Sequence, residues 1–164
     1  EADSGGIKGM TAAGALEAIA GKGLPFASRG DKSGTHLAEL GIWEKSSADV
    51  PEREPWYIQT GQGMINTLIV ASERQAYCLT DRGTYITFEA RHEKTPPLVI
   101  LVEGDPVLRN QYAVMSVNPS RCDNAKIDLA ETFVKWIVSP ETQKLIGEFK
   151  LLGKALFYPN AEKQ

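Results

Sequence analysis

One short polar segment, Ser28-Arg29-Gly30-Asp31-Lys32-Ser33-Gly34-Thr35, places a fixed cation, hydroxyl groups and glycines directly before an amphipathic pattern. The first turn of a helix leaves backbone N–H groups unpaired and carries positive potential from the helix dipole. Arg29 adds a permanent charge whose forked donors match tetrahedral oxyanions. The segment therefore predicts a site for a small oxyanion.

The other polar residues of the segment have separate predicted roles. Ser33 is placed to act as a helix N-cap or to turn its hydroxyl toward a ligand. Gly34 allows close approach to the backbone, Thr35 adds a second hydroxyl, and Asp31 is close enough to orient Arg29 through a salt bridge. The alternative is an ordinary strand-to-helix connection in which Ser33 is a simple cap and Asp31 pairs with its neighbour or with solvent.

Sequence motifs for catalysis and metal binding do not occur in the chain. There is no Walker A loop, no G-x-S-x-G nucleophile elbow and no CxxC pair. The two cysteines, Cys78 and Cys122, have no histidine partners at zinc-site spacing, so no metal site is predicted. Two scattered histidines without a paired carboxylate motif argue against a phosphoryl- or acyl-transfer enzyme, and we expect the protein not to be an enzyme.

The composition is that of a globular protein and excludes several function classes. Of 164 residues, 42% are hydrophobic and 24% charged, and 18 basic against 21 acidic residues give a net charge of −3. Because no basic block occurs, nucleic acid and anionic membrane surfaces are not expected partners. The longest apolar run, residues 98–102, is too short to span a membrane. The chain opens at Glu1 without an initiator methionine or a signal peptide, which indicates a processed product.

Helical and strand patterns alternate along the chain, which is typical of an α/β fold. Helices are predicted over residues 11–21, from Ser33 onward, over 63–73 and 127–138, and from Ser139 onward, where serine, proline and glutamate form a helix start. Strands are predicted over residues 24–28, 56–60, 76–80, 98–102 and 112–117, with a turn at Gly83. The all-apolar run 98–102 predicts a strand covered on both faces. Trp43, Trp56 and Trp136 are predicted core residues.

Five sequence blocks, in this order, resemble the tungstate-binding receptors of ABC transporters (TupA type): PFASRGDKSGTH, WYIQTGQGM, AYCLTDRGTY, LVEGDP and YAVMSVNP. The resemblance implies a type II periplasmic-binding-protein fold, in which two α/β lobes close over one tetrahedral dianion. It implies a central lobe over residues 1–98 and a crossover with the C-terminal part of the other lobe over 99–164. It also implies an extracytoplasmic location, an ABC permease as partner, and an oxyanion as ligand in place of a cofactor.

Carried over residue by residue, the resemblance implies ligand-binding roles for Arg29, Ser33, Gly34 and Thr35, with Ser28 as a weaker candidate and Asp31 as the residue that orients Arg29. Residues 60–63 form a second glycine-bearing helix start that either aims amides at the same cleft or serves as a tightly packed helix entry.

Further positions in the blocks have structural interpretations. Asp81 and Arg82 are expected to form a structural pair, with a ligand role for Arg82 as the alternative. His36 is expected to be structural and His92 to be solvated. Because Cys78 and Cys122 fall in different lobes of the inferred fold, no disulfide between them is expected.

The chain departs from these receptors at its start, where residues 1–25 do not match their threonine- and serine-rich N-terminal half-lobe. We therefore expect a partial receptor that holds one wall of the site. Tungstate is fully deprotonated at neutral pH and needs only donors, whereas phosphate keeps a proton and is better served by a free carboxylate. This favours tungstate or molybdate over phosphate, and the resemblance puts tungstate first, with molybdate or phosphate as alternative ligands. The alternative function is a structural or interaction domain without a working site.

Overall fold

The computed structural model describes residues 3–93 and 95–161, so the predicted processed start at Glu1 lies outside the described residues. The chain divides into two compact units, Glu1–Arg109 and Asn110–Gln164. The lobe boundary predicted at residues 98 and 99 stays a prediction.

The first unit contains four helices and one parallel strand pair among its described residues. Its elements are α1 (Ala12–Lys22), β1 (Phe26–Ser28), α2 (Gly34–Trp43), β2 (Tyr57–Gln59), α3 (Met64–Glu73), α4 (Arg82–Arg91) and a 3-10 turn (Pro106–Leu108). The second unit contains α5 (Ile127–Ile137), α6 (Pro140–Glu148), β3 (Lys150–Leu151) and β4 (Lys154–Ala155), and β3 pairs with β4 in an antiparallel hairpin. No helix in the described part of the chain is long and apolar enough to cross a membrane.

The parallel pair of β1 and β2 places the ends of two strands side by side. Ser28 pairs in register with Gln59, and α2 lies in the connection between the strands, as parallel strands require a crossover. The pairing continues past the strand ends, because the Thr60 amide donates to the Ser28 carbonyl and the Gly61 amide to the Arg29 carbonyl, each at 2.9 Å. The carboxyl edge of this pair is where ligands bind in open α/β sheets.

An aromatic cluster forms the core beneath this edge. Phe26 stacks on Tyr57 with ring centroids 5.9 Å apart, and its edge-to-face partner Trp43 lies 5.8 Å away. Trp43 is fully buried, and Trp56 packs against the same cluster. These contacts join β1, α2 and β2 into one rigid support for the residues that follow β1.

The predicted helices occur, and side-chain caps explain where three of them begin. Ser33 accepts from the His36 amide at the start of α2, and Ser139 accepts from the Thr142 amide at the start of α6. Thr11 caps α1 in the same way. The N-cap interpretations of Ser33 and Ser139 are therefore confirmed, since a short hydroxyl side chain satisfies a helix amide that has no partner within the helix.

Two predicted strands and one predicted turn are wrong, and a third predicted strand is much shorter than expected. Residues 98–102 and 112–117 form no strand, because a strand requires a neighbouring strand and none of the described strands pairs with either segment. The segment 76–80 is reduced to one bridge, between Tyr77 and Phe26. The turn at Gly83 is instead part of α4, because Asp81 accepts from the Thr84 amide at 2.8 Å and starts a helix there.

Trp136 is not a core residue, in contrast to the prediction. It lies on α5 beside Leu129 and Phe133, and all three side chains are at least half exposed. The predicted helix is present and its apolar residues share one face, but such a face is buried only where another element packs on it. The described residues supply no such cover for this face of α5.

Candidate functional site

The segment between β1 and α2, residues 28–35, is called the anion loop here. It turns sharply within eight residues, and its backbone enters the left-handed region at Gly30 (φ 62°) and Lys32 (φ 59°). A Cβ atom on Gly30 would lie 2.9 Å from the Cβ of Gln59 on β2. Only glycine satisfies both the dihedral angle and the close approach, so Gly30 fixes the path of the loop.

Asp31 joins the arginine of the loop to the start of α2. Its Oδ2 accepts from the Arg29 Nη2 group, and its Oδ1 accepts from the Ser33 amide at 3.1 Å. Hydrogen bonds from the Ser33 hydroxyl and amide, together with the bond and charge of Arg29, lower the pKa of Asp31 to about 2. Asp31 is therefore ionised at neutral pH and holds Arg29 against the helix start.

Two backbone amides at the start of α2 have no acceptor. The Lys32 amide donates to the His36 ring, the Ser33 amide to Asp31, and the His36 amide to the Ser33 hydroxyl. By contrast, the amides of Gly34 and Thr35 donate no hydrogen bond within the described residues. A Cβ atom on Gly34 would meet nothing within 4 Å, so the first turn of α2 is open on the side that a Gly34 side chain would occupy.

Arg29 itself retains an unused donor. Its side chain is 20% exposed, and its Nε atom is buried without a hydrogen-bond partner. Nε is a donor at every physiological pH, and a buried donor without an acceptor is unfavourable. The structure thus brings Arg29, Gly34 and Thr35 together as donors around the start of α2.

Ser28 lies on the inner side of the anion loop. It is 1% exposed, and its Oγ accepts from the Gly30 amide at 3.2 Å. Hydrogen bonding from Ser28 also contributes to the pKa of the buried Glu39. This placement directs Ser28 toward the interior, whereas Ser33 and Thr35 are partly exposed.

Sequence reasoning missed the buried carboxylate of Glu39. It is 2% exposed, and its Oε1 accepts from the Tyr57 hydroxyl at 2.6 Å and from the Trp43 indole at 3.3 Å. Burial raises the pKa of Glu39, while the hydrogen bonds from Tyr57, Ser28 and Trp43 oppose that shift. The sequence did contain a signal for this burial: Glu39 lies four residues before Trp43, so the two side chains share one face of α2.

The second glycine-bearing segment runs beside the anion loop. Its backbone pairs with the loop, as described above, and Gly63 caps α3 without a side-chain hydrogen bond. The Thr60 hydroxyl lies 2.9 Å from that of Thr67. The segment thus has the contacts of a packed helix entry, and its open glycines border the same edge of the strand pair.

The expected pair of Asp81 and Arg82 is wrong. Asp81 caps α4, where its carboxylate accepts from the Thr84 amide and hydroxyl, and Arg82 pairs with Glu103. Adjacent residues at a helix start point in different directions, so a cap and its neighbour seldom pair. Cys78 and Cys122 are free thiols in different units.

Acidic, histidine and cysteine side chains do not gather into a metal site. Within residues 3–93 and 95–161, no group of three or more such residues is placed to hold a metal ion. The chemistry of the anion loop is therefore that of hydrogen-bond donors and one arginine.

Comparison with known proteins gives consistent matches over most of the chain. Residues 3–141 match the PBP superfamily domain. The Campylobacter jejuni protein named tungstate-binding protein TupA is 45% identical over 156 residues, which cover 95% of this chain and 58% of that protein.

Solved structures agree with the sequence matches. The tungstate-binding protein TupA of Desulfovibrio alaskensis G20 is 56% identical, with a TM-score of 0.90, over 97% of this chain and 64% of that one. The structure of the tungstate ABC transporter from Geobacter sulfurreducens is 42% identical, with a TM-score of 0.70, over 90% of this chain and 60% of that one.

The chain spans about three fifths of the length of these proteins. The predicted α/β fold of the periplasmic-binding-protein type and the predicted resemblance to TupA proteins are both confirmed by these matches. With the family domain matched over residues 3–141, the chain belongs to the PBP superfamily.

Proposed function

We propose that the chain contributes one wall of a binding site for a small tetrahedral oxyanion, with tungstate as the first candidate. In this proposal the ligand contacts the Arg29 guanidinium, the amides of Gly34 and Thr35, and the hydroxyls of Ser33 and Thr35. Asp31 orients Arg29. Ser28, which faces the interior, supports the loop rather than the ligand.

The observation that carries the proposal is that the anion loop offers donors and no free carboxylate. Arg29 Nε and the two amides lack acceptors, while both oxygens of Asp31 already accept hydrogen bonds from Arg29 and Ser33. Charge-assisted hydrogen bonds to an anion are stronger than neutral ones. A ligand that only accepts hydrogen bonds therefore matches the loop.

The protonation state of the ligand favours tungstate over phosphate. Tungstate and molybdate carry no proton at neutral pH, whereas phosphate retains one that requires an acceptor. Because Asp31 is ionised but occupied, the loop has no spare charged acceptor for that proton. The names of the relatives, which specify tungstate, support tungstate as a candidate ahead of molybdate.

The same relatives support an assignment to transport rather than catalysis. One of the solved structures is named as a tungstate ABC transporter. We infer that the protein acts as the extracytoplasmic substrate-binding component of an ABC importer, with the permease as its partner. On this proposal the chain has no catalytic residues and needs no cofactor, and the oxyanion is its ligand.

Isothermal titration of the chain with tungstate tests the proposal, with molybdate, sulfate and phosphate as competitors. Arg29→Ala is expected to weaken tungstate binding by at least about tenfold, since a hydrogen bond to a charged group is worth about 1.5–3 kcal/mol. Lys32→Ala is the matched control, because Lys32 is exposed and outside the donor set. Equal losses in both variants would indicate diffuse surface electrostatics, and no binding by the unaltered chain would contradict the proposal.

A further inference from the structure

His36 is a buried histidine in the first turn of α2. It is 5% exposed, and its amide donates to the hydroxyl of Ser33. Its ring returns to the anion loop, where Nδ1 lies 2.9 Å from the backbone nitrogen of Lys32. The ring thus contacts the anion loop and is not only a core side chain.

The contact with Lys32 sets the tautomer of His36. A backbone amide is only a donor, so Nδ1 must be the acceptor and must carry no proton. In the neutral ring the proton then lies on Nε2, which becomes an obligatory donor. The loop backbone therefore determines which ring nitrogen of His36 carries the proton and can donate a hydrogen bond.

The Nε2 donor has no acceptor among the described residues. Only two buried side-chain nitrogen or oxygen atoms in residues 3–93 and 95–161 lack a hydrogen-bond partner, namely Arg29 Nε and His36 Nε2. Both belong to the anion loop or to the helical turn that follows it. Buried polar groups are almost always hydrogen-bonded, so each exception calls for an explanation, and an acceptor ligand is one.

A buried carboxylate lies on the same helix as His36. Glu39 lies one helical turn beyond His36, and its Oε1 receives the Tyr57 hydroxyl and the Trp43 indole. No hydrogen bond joins Glu39 to His36 Nε2. Glu39 is therefore the competing explanation that an experiment has to separate.

We propose that His36 is a further oxyanion-binding residue, a neutral Nε2–H donor that acts beside Arg29. The inference rests on the proposed function and adds to it a donor that carries no charge. Arg29 Nε and His36 Nε2 are obligatory donors without acceptors, and they lie seven residues apart at the two ends of one loop. A ligand that only accepts hydrogen bonds matches both. His36 would thus add directional selectivity for a deprotonated oxyanion without adding to the net charge of the site.

Two variants separate the ends of the ring. In His36→Asn the side-chain oxygen replaces the Nδ1 acceptor and the Nε2 donor is lost, whereas in His36→Gln the amide nitrogen replaces the Nε2 donor and the Nδ1 acceptor is lost. Tungstate titration is expected to show a loss of about tenfold or more in His36→Asn, as for a hydrogen bond to an ion, and a smaller loss in His36→Gln. Thermal unfolding of both variants without ligand reports any effect on folding.

Nitrogen NMR of the unaltered chain gives an independent measurement. With two histidines in the sequence, His92→Gln assigns both rings, and His92 is an internal control because its Nδ1 is bonded to the Phe88 carbonyl at 2.8 Å. We expect His36 to be the Nε2–H tautomer before ligand is added. Tungstate is expected to shift the Nε2 resonance of His36 and to leave that of His92 in place, and Glu39→Gln is expected to retain the shift.

The outcomes distinguish this inference from the proposed function. If the unaltered chain binds no oxyanion, both are overturned. If tungstate binds and its binding depends on Arg29, the proposed function stands. The role of His36 is then overturned by any one of three results: His36→Asn binds as tightly as the unaltered chain, His36→Asn and His36→Gln lose affinity equally, or the His36 Nε2 resonance does not move.

Discussion

The Tyr57 hydroxyl donates a 2.6 Å hydrogen bond to the buried carboxylate of Glu39. This bond joins β2 to α2 behind the anion loop, inside the aromatic cluster that supports the loop. No ion pair of the described residues includes this carboxylate, which is hydrogen-bonded by the Tyr57 hydroxyl and the Trp43 indole. A buried acid of this kind makes the support of the site sensitive to both mutation and pH.

Tyr57→Phe is expected to lower the free energy of unfolding by about 1–3 kcal/mol, because it leaves a buried carboxylate short of one donor. Chemical denaturation followed by tryptophan fluorescence measures the change. Tyr158→Phe is the matched control, since Tyr158 is 81% exposed and its loss should have little effect. Equal effects of the two changes would contradict the structural role of the bond.

Glu39→Gln is expected to change how stability depends on pH. Burial raises the pKa of Glu39 above its ordinary 4.5, so the folded state holds this proton more tightly than the unfolded state does. The stability that Glu39 contributes is therefore complete below pH 4.5 and is lost as the pH rises through the folded-state pKa. Thermal unfolding at about pH 4 and about pH 7 should show the unaltered chain losing more stability than the variant toward neutral pH.

Asp31→Asn is expected to have the opposite dependence. The pKa of Asp31 falls to about 2 from an ordinary 3.8, so the unfolded state binds this proton more readily. The stability contributed by Asp31 is present above pH 3.8 and is lost as the pH falls through about 2. Acid titration should show the stability difference between the unaltered chain and Asp31→Asn shrinking across that window, and a constant difference would count against the assignment.

Gly34→Ala and Gly30→Ala form a matched pair in the anion loop. A methyl group on Gly34 enters open space and favours helix by up to about 1 kcal/mol, so folding should be unharmed while tungstate affinity falls. A methyl group on Gly30 meets Gln59 in a left-handed backbone and should destabilise the first unit. Unchanged affinity in a stable Gly34→Ala variant would show that the ligand does not approach this amide.

The two thiols are expected to react at different rates. Burial raises the pKa of Cys78 to about 12, and the thiolate is the reactive form, whereas Cys122 is exposed. A thiol-reactive dye should label Cys122 rapidly in the native chain and Cys78, which is partly buried, more slowly until the chain unfolds. Cys122→Ser should remove the rapid phase, and its persistence in that variant would disprove the assignment.

The sequence by itself determined the features that depend on neighbours along the chain. Ser33 and Ser139 were identified as helix caps because a cap, its helix and its dipole lie within a few residues. The family followed from five blocks in order, and the oxyanion chemistry proposed for the loop followed from a fixed cation placed directly before a helix start. These inferences needed no knowledge of how distant segments meet.

Tertiary structure decided the features that depend on distant partners. Residues 98–102 are apolar enough for a strand, yet they form none because no strand pairs with them in the described residues. Trp136 has the spacing of a core residue but lies exposed, since burial requires a second surface. Arg82 pairs with Glu103, 21 positions away, instead of with its neighbour.

The groups of the candidate site also divide into those that the sequence predicted and those that only the fold revealed. Arg29 could be named from the loop, but the acceptor role of His36 Nδ1, the absence of any acceptor for Nε2 and the buried carboxylate of Glu39 appeared only once the chain was folded. Local spacing specifies which groups are present. Only packing decides which donors remain without an acceptor, because every donor in the folded chain competes for the acceptors that the fold brings within reach.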